Sequence, residues 1–220
     1  MDSIDVLYDH YKETFSLSKE SQKRRNKNFV ILCILEAVSF LLLIKPKTAL
    51  KIIESGINKE LNVTLSLGNT ILQTLLWILI VYVMIRYIQD MLYIERQYTY
   101  MDKLEYEIST RIGCQNLFSR EGENYNKNYP MVLNFIDLFY KMLMPILFLI
   151  INTVRIYKEC IIVKTLTPSL ACDIILFLSI FIISWFYFFE IHSKITEKFK
   201  KCIPLVDKIS IMLRKLLKEV

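Results

Sequence analysis

Apolar residues make up 54% of this 220-residue chain, and its mean hydropathy is positive at +0.35. That excludes an ordinary soluble domain, whose surface needs more charge, and four glycines with five prolines leave little for tight turns. The net charge of +6 alone fits either nucleic acid or anionic lipid, so the placement of the charges carries more information than their sum.

The first 28 residues are polar and basic. Ile4, Leu7, Tyr11 and Phe15 recur at spacings of three, four and four, which is one face of a helix. That helix is expected to run through the KRRNK stretch into the first span. No basic start followed by an early apolar stretch is present, so no signal peptide is expected. KRRNK reads first as an anchor on anionic lipid and second as a ligand site made by Lys23, Arg24 and Arg25.

Span one covers 29–44, roughly 24 Å at helical rise, slightly short for a ~30 Å hydrocarbon core. Glu36 falls near its middle. A charged carboxylate there costs at least ~2.5 kcal/mol by insertion scales, so it is protonated, paired as a bonded structural group, or facing water in a pore. Beyond the span, Leu50, Ile53, Ile57 and Leu61 predict a short interfacial helix.

Span two covers 70–88 and carries Gln73, Thr74 and Trp77. The pattern does not stop at the membrane surface. Tyr87, Met91, Ile94, Tyr98, Met101, Glu105, Ile108 and Ile112 form a heptad seam with one acidic member. One continuous helix of about 65 Å is therefore predicted from Thr70 to Ile112, with Gly113 as its stop. The seam fits either a partner copy or the N-terminal helix. Residues 113–130 then break the period, and their tyrosines suggest a packed turn with buried hydroxyls.

Span three, 131–154, is the least typical. Asp137 and Lys141 are four apart on one helix face and read as an ion pair. Pro145 releases a backbone carbonyl and offers a kink, so Pro145, Asp137 and Lys141 are the candidate gate hinge. Asn152 and Thr153 are polar groups suited to bonding between helices, as are Gln73 and Thr74. Glu36, Gln73 and Asn152 are accordingly the candidate intramembrane polar set. Residues 155–169 read as an outer loop. Span four, 174–189, is apolar all round, which a soluble helix would not be.

The last segment, 191–220, is basic. Lys198, Lys200 and Lys201 make a second candidate ligand patch. After Pro204, Leu205, Ile209, Met212, Leu213, Leu216 and Leu217 predict an amphipathic helix for the inner leaflet or a helical bundle.

Lys and Arg are unevenly shared: twenty in 1–28, 86–130 and 191–220 against seven in 45–68 and 155–169. By the positive-inside rule both termini and the middle segment face the cytoplasm. The chain thus reads as an all-α polytopic membrane protein: a cytoplasmic basic helix 1–28, a four-span region 29–190 with a cytoplasmic helical segment 89–130, and a basic tail 191–220.

No catalytic set stands out. Two histidines, His10 and His192, are present without HExxH, a phosphate-binding glycine run or GxSxG. The five cysteines contain no CxxC pair, so no zinc site is expected, although Cys160 and Cys172 share the outer side and leave a disulfide open. The expectation is a non-enzyme with no cofactor. A gated channel, a membrane scaffold for a soluble partner and a small transporter stay open as functions. The two halves show no similarity beyond two spans each, which weakens the transporter reading.

Two stretches carry a family resemblance. YTYMDKLEYEISTRIG…FSREGENYNKNYP before an apolar span, and DHYKETF…KRRNKNF before span one, resemble four-span bacterial proteins found with nucleotidyltransferases in anti-phage defence loci. The family nearest in pattern is the membrane effector of the Hailong system, and the resemblance covers most of the chain. It implies a homo-oligomeric ion channel in the bacterial inner membrane. A nucleic-acid oligomer made by the partner nucleotidyltransferase would hold it closed, and opening would depolarise the cell. It assigns no individual residue a role.

Overall fold

The structure is a computed structural model that describes residues 3–61, 68–113 and 131–191. The chain is an all-helical, multi-pass membrane protein: four of its helices are long and apolar enough to cross a membrane. α1 is Ser3–Ile44, α2 Pro46–Leu61 and α3 Asn69–Ile112. The third crossing is divided. α4 is Met131–Leu138, a π-helical segment spans Phe139–Leu143, and α5 is Met144–Val163. α6 is Pro168–Ile191.

The N-terminal helix does run unbroken through KRRNK into span one, because nothing in that stretch breaks a helix. α3 likewise continues for 44 residues and stops at Gly113, whose φ of 72° is the left-handed cap that glycine adopts without strain. The interfacial helix expected around Leu50 is α2, packed on α1 and the start of α3 through Leu42, Ala49, Leu72 and Leu76.

α1 and α3 make the most extensive contact in the molecule, and it settles what fills the heptad seam. Tyr87, Met91, Ile94, Met101, Glu105 and Ile108 are buried, while Tyr98 and Ile112 stay exposed. The other side of the seam is α1, with Tyr11 donating to Glu105 at 3.1 Å and Gln22 to Tyr98 at 2.9 Å. α1 offers an unusual complement. Its most buried positions in this stretch are Thr14, Ser18 and Ser21, with Ile4, Leu7, Tyr11 and Phe15 only partly covered. Short side chains at spacings of four and three let the two backbones approach closely. The paired extensions form a stalk that continues the bundle beyond the apolar spans.

Within the spans the core is Leu32, Trp77, Ile80, Met84, Tyr87, Phe148, Ile180 and Tyr187. The opposite faces carry Ile34, Leu41, Leu75, Leu79, Ile150, Ile175 and Ile182, all exposed. Outward-facing aliphatics of this kind suit lipid tails.

Two boundaries differ from those expected. The third crossing does not end at 154 but continues to Val163, so Arg155 and Glu159 belong to the bundle and not to an outer loop. α6 starts six residues earlier than expected and carries Asp173 into the interior. In both cases hydropathy undervalued charged residues that find partners inside. Cys160 and Cys172 are free and exposed. The turn at 114–130, the tail 192–220 and the patch Lys198, Lys200 and Lys201 lie outside the described residues.

The tight α1–α3 seam generates a test. Ser21→Leu should overpack it and lower stability by about 1–3 kcal/mol, whereas Ser16→Leu on the exposed face should change little. Thermal melting of the detergent-solubilised protein reads the difference. Equal melting of the two variants would mean that α1 does not pack this way.

Candidate functional site: an intramembrane polar cluster and a proline–tyrosine hinge

Charged side chains enter the bundle because the helices carry them on their inner faces. On α5, Phe148, Asn152, Arg155 and Glu159 follow a four-three-four spacing, so all four point inward. On α1, Glu36 and Ser39 are three apart and share a face. α3 presents Gln73 and Trp77 one turn apart.

Arg155 is the centre of this cluster, with 2% of its surface exposed. Its Nε donates to Glu159 at 3.0 Å, one Nη to the Ser39 hydroxyl at 3.0 Å, and the other Nη to the Gln73 carbonyl at 3.0 Å. The guanidinium lies 4.1 Å from the Trp77 ring centre, a favourable cation–π geometry. Trp77 Nε1 donates back to the Glu159 carboxylate at 3.1 and 3.2 Å. One guanidinium thereby ties α5 to α1 and α3. Asp173, also buried, brings α6 alongside next to Thr74, whose hydroxyl is 2.7 Å from that of Ser169.

Glu36 and Asn152 are brought together, as two members of the expected polar set. Asn152 Nδ2 donates to Glu36 Oε1 at 2.5 Å and to the Phe148 carbonyl at 2.8 Å. Gln73 joins the cluster through its backbone and not its amide.

The candidate hinge sits at the stalk end of the third crossing. Lys141 bonds Asp137 at 2.8 Å, as the spacing predicts, and also Glu95 of α3 at 2.8 Å. Pro145 is buried and follows the π segment directly. In that segment Met144 N–H bonds the Phe139 carbonyl, five residues back. The next residue is Pro145, which has no N–H to give to Tyr140 or Lys141. Both of these carbonyls accept from tyrosines on neighbouring helices. The Tyr87 hydroxyl donates to the Tyr140 carbonyl at 2.7 Å, and the Tyr187 hydroxyl to the Lys141 carbonyl at 3.0 Å.

Of the basic triplet, Arg24 is bonded to Asp90 at 3.3 Å and Glu20 at 2.9 Å, with Asn28 also reaching Asp90 at 3.0 Å. Arg25 lies 4.6 Å from the Tyr140 ring centre and bonds Asn26. Lys23 is exposed.

Sequence reading missed Arg155, Glu159, Asp173 and Asp90. The inward spacing of 148, 152, 155 and 159 was the available signal for the first two. Searches against protein families, curated proteins and solved structures found no match to this chain.

Two tests follow from this geometry. Arg155→Met should cost about 3–5 kcal/mol by leaving Glu159 buried and unpaired, and adding Glu159→Gln should recover much of the loss. Additive losses in thermal denaturation would refute the pair. Tyr187→Phe should cost about 1–3 kcal/mol by stranding the Lys141 carbonyl. Pro145→Ala restores an N–H for the helix, so Tyr187→Phe should cost much less in that background. An equal cost in both backgrounds would show that the tyrosine does not serve the proline gap.

Proposed function

We propose that this protein is a membrane effector whose copies assemble into an ion channel gated from the stalk end. The observation that carries the reading is the Glu36–Asn152 pair buried among apolar spans. Such a pair is a poor stability device, because polar groups at membrane depth are costly and replaceable by apolar packing. Function is the better reason to keep them there. The core of one copy is filled by Trp77, Tyr87 and Phe148, so conduction would run between copies or require the bundle to rearrange.

The hinge supplies the gating element in this reading. A π segment beside Pro145 is held by two tyrosine hydroxyls, which can be made or released together. Lys141 connects it to α3 through Glu95, and Arg25 through the Tyr140 ring to α1. Movement of the stalk would therefore reach the hinge directly.

The membrane would be the bacterial inner membrane with both termini in the cytoplasm, and control would come from an anionic nucleotide or nucleic-acid ligand made by a partner nucleotidyltransferase. The family resemblance and the lysine and arginine distribution support this part. Lys23, Arg24 and Arg25 would bind that ligand, with Lys198, Lys200 and Lys201 as the second patch. The second reading is a scaffold without a pore. The exposed tyrosines along the stalk, Tyr8, Tyr93, Tyr100 and Tyr106, favour it as a docking face.

Expression of the protein alone should depolarise cells and arrest growth, read with a potential-sensitive dye. Unchanged potential and full viability despite good membrane insertion would reject the channel. Glu36→Ala should change conductance or toxicity at equal expression. Neutralising Lys23, Arg24 and Arg25 together should weaken nucleic-acid binding and flatten its salt dependence. Because Arg24 and Arg25 also hold α1 to its neighbours, Lys23→Gln separates ligand binding from folding.

A further inference from the structure

In the polar cluster, three buried carboxyl groups face one guanidinium: Glu36, Glu159 and Asp173 against Arg155. Arg155 is committed to Glu159, Ser39 and the Gln73 carbonyl, and it forms no ion pair with Glu36 among the described residues. Glu36 is therefore left without a cation of its own. Its exposure is 4%, so water does not screen it.

The hydrogen bonding around Glu36 is lopsided in one specific way. Asn152 has its orientation set by Phe148, because a backbone carbonyl only accepts and must face the Nδ2 donor. Asn152 Oδ1 consequently points elsewhere, and it has no partner. Glu36 Oε2 has none either. Two oxygens, each one functional-group width from the same 2.5 Å contact, are acceptors without a donor. Asn152 is 1% exposed, so this is a nine-tenths-buried polar group as well. Buried orphans of one polarity call for a species of the other polarity, and a carboxylate with an amide oxygen is the donor set of a hard cation.

We infer that Glu36 Oε2 and Asn152 Oδ1 form an intramembrane binding site for a small monovalent cation, of the Na⁺ or K⁺ class. The inference rests on the channel reading and narrows it, since a carboxylate–amide site at membrane depth selects positive ions. The charged group that faces Glu36 is Arg155 on α5, which Glu159 on α5 and Asp173 on α6 face in turn, with Cys33 as the titratable neighbour on α1.

The test uses the full chain in nanodiscs, with thermal melting followed as NaCl or KCl replaces N-methylglucamine chloride at constant ionic strength and pH. Alkali ions should raise the wild-type melting temperature, saturating with concentration. Glu36→Gln should abolish that rise. It should also melt no lower than wild type without alkali ions, because it removes a buried carboxylate that has no cation of its own. Asn152→Leu serves as the second variant and should weaken the ion response at least several-fold. An equal alkali-ion response in wild type and both variants would overturn the site. Protection that follows pH and ignores alkali ions would overturn it too, in favour of a protonated carboxyl. Planar-bilayer current is measured separately: ion-dependent melting without current would leave the site standing and remove the channel.

Discussion

Inside a hydrocarbon slab, a donor or acceptor without a partner costs several kcal/mol, and no water is present to relieve it. That constraint orders the polar side chains of this bundle. Pro145 removes one N–H beside a π segment, and two tyrosines from other helices bond the carbonyls of Tyr140 and Lys141 there. Arg155 brings a charge inside, and Glu159, Ser39, Gln73 and Trp77 surround it. Asp90 is met by Arg24 and Asn28. The helices are held in register by these obligations as much as by apolar packing, which is non-directional and would tolerate sliding.

Against that background the exceptions are informative. Glu36 and Asn152 satisfy one another on one side only, and each keeps an orphaned oxygen. Asp173 Oδ1 is orphaned as well. A bundle that covers even its proline carbonyls has left these acceptors open. The orphaned oxygens of Glu36, Asn152 and Asp173 belong to the part of the bundle away from the stalk, whereas the hinge and its ion pairs lie near it. The other buried side-chain atoms without a partner among the described residues are neutral: Ser18 Oγ and Gln97 Oε1 in the stalk and Ser184 Oγ on α6. The molecule thus separates a site with unmet charge from an element with alternative backbone bonding. α1 and α3 run the length of both and connect them mechanically.

The stalk adds a different kind of specificity. The apolar seam of α3 meets Thr14, Ser18 and Ser21 on α1, and not a matching row of leucines. Small polar residues allow close approach but bury little apolar area, so that pairing gains less from the hydrophobic effect than a leucine seam would.

Much of the architecture was legible from the residues alone. Four spans, the run of α1 through KRRNK, the length of α3, its stop at Gly113 and the Asp137–Lys141 pair all follow from local rules of periodicity, capping and spacing, which need no partner to be known. What lay beyond reach depended on which helix faces which. Whether the α3 seam met α1 or another copy was a question of tertiary neighbours. Arg155 and Glu159 fall in the expected outer loop and Asp173 just outside the expected span four, because hydropathy counts a charge as costly whatever surrounds it. Only the fold supplies Ser39, Gln73 and Trp77 as the partners that make Arg155 affordable inside, and only the fold sets Asn152 against Glu36 so that two oxygens remain unbonded. The sequence by itself determined a four-span helical membrane protein with a long helical extension, because helix and lipid preference are written locally. The tertiary structure alone decided which polar groups are paired and which are left open, because that depends on contacts between residues more than a hundred positions apart, such as Glu36 and Asn152.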